Sequence, residues 1–174
     1  MFKDFAARTH ETAVYPEAGT GAPLALAYAA LGLAGETGEV SAAWHTGTMR
    51  PADTGRMLSE LGDCAWYLAR LYLEAGLEVP KTLTPPDETI RVTALVRTLT
   101  SLSAEVAERA KKCVRGDDDA VLRLEKALDV YGKCWADLVA GGLAAEISDV
   151  LAGNAEKLAA RKERHSLRGD GEDR

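Results

Sequence analysis

Two segments of this chain set carboxylates three residues apart where charge is unexpected. They are "LAGETGEV" at 33–40, with Glu36 and Glu39, and "SELGDCAWYL" at 59–68, with Glu60 and Asp63. Acids on a helix normally face water near a Lys or Arg. These four lie among small and apolar residues, and none has a basic residue four positions on. Four carboxylates converging in a partly dry cleft would repel one another and raise each other's pKa values. A divalent cation removes that conflict, and oxygen-only donors completed by a substrate's phosphates suit Mg²⁺ or Mn²⁺ rather than zinc. The competing reading is two solvated acidic pairs on amphipathic helices.

The elements that must position these acids are helices. All six prolines fall between residues 16 and 86, at Pro16, Pro23, Pro51, Pro80, Pro85 and Pro86. They divide the first half into helices expected at about 2–14, 24–46 and 53–76. The proline-free half reads as helices near 88–114, 119–140 and 145–164, with Gly116 and "AGG" at 140–142 as breaks. No sustained period-two alternation is present, so the fold class is all-α, a helical bundle. On the second helix Leu33, Thr37, Val40 and Trp44 form a buried stripe with Glu36 at its edge. On the third, Leu58, Leu61, Cys64, Ala65, Leu68 and Tyr72 face the core, and Glu60, Asp63 and Tyr67 share a neighbouring line. Gly35, Gly38 and Gly62 lie among the acids. Each costs about 1 kcal/mol of helix stability relative to Ala, which makes sense where something must approach the backbone closely.

Three stretches together, "ALGLAGETGEV", "SELGDCAWYLARL" and "NAEKLAARKERHSLRGDGEDR", resemble the MazG-like nucleoside triphosphate pyrophosphohydrolases, with "TAVYP" similar to the start of the small phage-type members. The resemblance covers about residues 5–79 and 145–174. It implies an all-α enzyme that splits a nucleoside triphosphate into monophosphate and pyrophosphate, a role in nucleotide-pool housecleaning. It implies Mg²⁺, or Mn²⁺, held by Glu36, Glu39, Glu60 and Asp63, with Glu36 or Glu39 orienting or deprotonating the attacking water. Asn154, Lys157 and Arg161 would contact the substrate, and the charged tail would fold over the triphosphate. Tyr67 would line a base pocket, or else be a core tyrosine. One departure stands out: the lysines that follow the first acidic pair in such proteins are missing from "SAAWHTGTMR".

The chain, a single domain over 1–174, is longer than a minimal member by a helical insert at 80–144. Laid on 24–78 without gaps, the insert aligns Glu39 with Glu105 and Asp63 with Asp129; 105 minus 39 and 129 minus 63 both give 66. It is read as a degenerate duplicate, with Leu102 and Lys126 in place of Glu36 and Glu60, or as an unrelated helical insert. As a duplicate it would make a pseudo-dimer within one chain, open to further homo-oligomer formation, and its Lys111, Lys112 and Arg115 would supply the missing cations.

Bulk properties bound the alternatives. At 174 residues and net charge −6, the chain can bury one sizeable core and lacks the basic face of a nucleic-acid binder. The longest apolar run is too short to span a membrane, and "MFKDF" does not open like a signal peptide. Cys64, Cys113 and Cys134 form no CxxC pair and read as small buried residues in a reducing cytoplasm. No His has a Glu three positions before it, which counts against a di-iron carboxylate bundle. The rival function is a non-catalytic regulatory or scaffold protein on a degenerate MazG-like fold.

Overall fold

The computed structural model describes residues 1–44, 51–85 and 91–167. Over these the chain is six α-helices and no strand: α1 (Phe2–Arg8), α2 (Pro23–Ala43), α3 (Pro51–Glu74), α4 (Val92–Arg115), α5 (Ala120–Asp137) and α6 (Ile147–Glu163). The proline at the start of α2 suits the first helical turn, where an amide hydrogen has no partner to lose. α3 closes at Gly76, which has φ +66°, with Leu77 N–H donating to the Tyr72 carbonyl. α4 closes likewise at Gly116, with φ +82°. Both are left-handed C-terminal caps that glycine adopts without a Cβ penalty. The expected helix ends at 45–46 and 88–90, and the tail from 168 on, lie outside the described residues.

The expected first helix is shorter than its sequence suggests, because α1 tightens into a 3₁₀ turn over Thr9–Thr12. Thr9 Oγ1 donates to the Ala6 carbonyl at 2.7 Å and Thr12 Oγ1 to the Thr9 carbonyl at 3.3 Å. Threonine hydroxyls that bond to nearby carbonyls disfavour a continuing α-helix. After α5 a single π turn spans Leu138–Gly142, at the expected glycine break.

α2 packs on α3 and on α4, α5 packs on α4 and α3, and α6 lies on α3 beside α1. One apolar core runs through all of them. Tyr131 on α5 reaches Thr37 Oγ1 on α2 at 2.7 Å, and Trp135 Nε1 donates to the Leu61 carbonyl on α3 at 2.9 Å. The insert is therefore built into the bundle. Its buried positions also keep a register with the first helical pair. Ala29, Ala30, Leu33, Thr37 and Val40 are buried in α2, as are Leu95, Val96, Leu99, Ser103 and Val106, each 66 residues later, in α4. The bond from Leu77 N–H to Tyr72 recurs from Leu143 N–H to Leu138, again at that spacing.

Candidate metal centre

Glu36 from α2 and Glu60 and Asp63 from α3 converge, each offering a carboxylate oxygen within 4.8 Å of the others. Glu36 is half-buried and its carboxyl is pushed up to about 7, first by burial and then by the charges of Asp63 and Glu39. Lys157 and Arg161 oppose that shift. Glu60 is almost fully buried, with Arg56 Nε 3.6 Å away. Glu39 faces solvent on α2, outside the group of three, and acts on it through charge. The spacing of Glu36 and Glu39 puts them about 60° apart around the helix, and the edge of the cleft falls between them.

Asp63 carries two partners from α6. Asn154 Nδ2 donates to its Oδ1 at 2.6 Å, and Lys157 Nζ to its Oδ2 at 2.5 Å, with a second bond from Nζ to Ser59 Oγ at 3.0 Å. Gly62 makes this possible: a Cβ there would stand 3.0 Å from Asn154 Cβ and 3.4 Å from the Val150 carbonyl oxygen. The close neighbour of Gly62 is thus α6. Around Gly35 and Gly38 an added Cβ would meet nothing within 4 Å.

Glu36 and Asp63 line a cavity of about 560 Å³ walled by Tyr15, Tyr28, Trp66 and Tyr67, with Arg161 also in its lining. Tyr15 and Tyr28 stack at 4.6 Å, and Trp66 meets Tyr67 edge-on at 4.9 Å. The Tyr67 ring packs against α2 at a point where only a glycine fits: a Cβ on Gly32 would come within 2.1 Å of it. Tyr67 therefore both packs on the bundle and lines the cavity. Sequence reasoning missed Tyr15, Tyr28, Trp66, Gly32 and Ser59. "TAVYP" was the available signal for Tyr15; the others depend on helices that meet only in three dimensions.

A buried ion pair holds the aromatic wall. Arg70 Nη2 bonds to Glu74 Oε1 at 2.5 Å, and Arg70 Nε donates to the Tyr15 hydroxyl at 2.7 Å. Glu74 also accepts from the Tyr15 hydroxyl and from the amides of Gly19 and Gly21. Burial works to raise the Glu74 carboxyl, but these bonds hold it below the usual range. The insert's charges pair locally instead: Glu105 with Arg109, Lys111 and Lys112 with Glu108, and Arg115 with Asp117. Asp129 accepts from Tyr72 at 2.6 Å, and Lys126 is exposed. Among the described residues, Glu36, Glu60 and Asp63 are the group placed to share an ion. No helix there is long and apolar enough to cross a membrane. No family model, curated protein or solved structure matches this chain.

Proposed function

We propose that this protein hydrolyses a nucleoside triphosphate to the monophosphate and pyrophosphate, with Mg²⁺ or Mn²⁺ held by Glu36, Glu60 and Asp63. One observation carries the reading: three carboxylates from two helices converge, two of them, Glu36 and Asp63, lining an aromatic-walled cavity with Arg161, while Lys157 pairs with Asp63. The residues fit such an ion. The donors are all hard oxygens. Glu36 is driven to hold a proton near neutrality, first by burial and then by the negative charges of Asp63 and Glu39, a conflict that a bound cation would relieve. The side-chain amide oxygen Oδ1 of Asn154 is buried beside the group with no hydrogen-bond partner among the described residues. A bound divalent cation supplies neutralisation of phosphate charge and acidification of water.

The chain's own residues do the rest. The rings of Tyr28, Tyr67 and Trp66 would give a nucleobase flat apolar surface, and Arg161, which lines the same cavity, would pair with the phosphates. Glu39, at the solvent edge, is free to turn toward an attacking water and accept its proton. The 66-residue register of buried positions supports a duplication in which the second copy completes the bundle and the first keeps the site. A second reading, a non-catalytic scaffold, is favoured by the ion pairs of Lys157 with Asp63 and Arg56 with Glu60, which partly neutralise the acids without an ion.

A panel of NTPs and dNTPs with Mg²⁺ or Mn²⁺, read for pyrophosphate against orthophosphate, separates these. Pyrophosphate with a monophosphate is the expected product. Orthophosphate alone would sink the pyrophosphohydrolase reading, and no release from any nucleotide would favour the scaffold.

A further inference from the structure

We infer that Lys157 is a resident cation of the acidic site: it holds Asp63 in the ion-free protein and gives it up when a divalent cation is bound. The inference rests on the metal reading above and adds a coupling to it, because the released ammonium becomes available to phosphate. Lys157 Nζ sits 2.5 Å from Asp63 Oδ2, on one of the three carboxylates that lie within 4.8 Å of each other. A doubly charged ion and an ammonium drawn to the same carboxylate repel each other strongly at this range, since the pair is largely shielded from water, with side-chain exposures of 25% and 18%.

The other Asp63 oxygen is taken by Asn154 Nδ2 at 2.6 Å, so Asp63 cannot simply rotate to offer the ion an undisturbed oxygen. Asn154 is itself fixed by the seat of α6 on Gly62, which keeps the helix in place while a side chain moves. Finally, lysine is the residue able to move. Its four-carbon stem swings about several bonds with Cα fixed, and Ser59 Oγ, 3.0 Å away, offers a second anchor. Arg161 stands four residues along α6 on the same face, so a freed Lys157 would join it as a second cation for a phosphate chain.

The test is Mn²⁺ titration, by electron paramagnetic resonance, of the nucleotide-free full chain, of Lys157→Met and of Arg161→Met. Competition predicts that Lys157→Met binds Mn²⁺ about ten-fold tighter or more, because a direct competitor is gone. Arg161→Met removes the same charge without touching Asp63 and should shift affinity by no more than about three-fold. A second measurement uses the unaltered protein. The ¹⁵Nζ resonance of Lys157 should show slow proton exchange without metal and lose it on adding Mg²⁺. Unchanged or weaker Mn²⁺ binding in Lys157→Met, an equal gain in both variants, or an Nζ signal indifferent to Mg²⁺ would overturn the competition while leaving the metal site standing. Absence of Mn²⁺ binding in all three proteins would overturn the metal reading itself, and this inference with it.

Discussion

Replacing Gly62 by alanine and, separately, Gly38 by alanine sets helix propensity against packing at two helical sites. Glycine in a helix interior is about 1 kcal/mol less favourable than alanine, so each change should stabilise wherever the new methyl has room. At Gly38 an added Cβ meets nothing within 4 Å. The gain there should be about 0.5–1 kcal/mol, a rise in Tm of about 1–4 °C for a chain of this size. At Gly62 the same atom would lie 3.0 Å from Asn154 Cβ and 3.4 Å from the Val150 carbonyl oxygen. One neighbour is the root of a side chain and the other is backbone, so relief requires α6 to shift. Overpacking of this kind costs about 1–3 kcal/mol, leaving Gly62→Ala between neutral and about 2 kcal/mol destabilised. Thermal melts and urea unfolding of the two variants beside the unaltered protein measure the difference. Equal stabilisation at both positions would refute the seat of α6 on Gly62, and with it the placement of Asn154 and Lys157 on Asp63.

Without divalent cations, stability should fall as pH rises from about 4.5 to about 7. Glu36 has its carboxyl raised from 4.5 to about 7, so in that window the folded protein keeps a proton that the unfolded chain has lost. Glu36→Gln should flatten this part of the profile in urea midpoints measured with a chelator; an unchanged slope would remove Glu36 as its source. Glu74→Gln breaks the buried pair with Arg70 and weakens the anchor of Tyr15, and should cost about 3–5 kcal/mol by the same midpoints. A loss below about 1 kcal/mol would mean the pair is solvated.

The helices were legible because proline and glycine punctuation acts locally. Pro23 opens α2, and Gly116 closes α4 in a left-handed turn no other residue adopts as readily. The acids were legible as a group because Glu36, Glu60 and Asp63 stand at the borders of apolar stripes, a pattern that water alone does not explain. Glu39 was not separable from them, since a shift of about 60° around α2 decides between cleft and solvent. Asn154 and Lys157 could be marked on α6, but their partner could not. Asp63 lies 91 and 94 residues earlier, and only the meeting of α3 and α6 at Gly62 joins them. The aromatic wall was hidden for the same reason. Tyr15 belongs to a loop whose path is set by Arg70 and Glu74, more than fifty residues away.

If the proposed hydrolysis takes place, one acidic site, on α2 and α3, should perform it. Pyrophosphate release from a nucleoside triphosphate with Mg²⁺ should therefore be compared in Glu36→Gln and Glu105→Gln, with circular dichroism confirming that both remain helical. Glu36→Gln keeps size and shape but removes a carboxylate from the converging group, and should lose turnover by about two orders of magnitude or more. Glu105 pairs with Arg109 on the surface of α4, and its replacement should leave most of the activity. Equal loss at the two positions would contradict the single-site account, and full activity in Glu36→Gln would contradict the assignment of the metal centre.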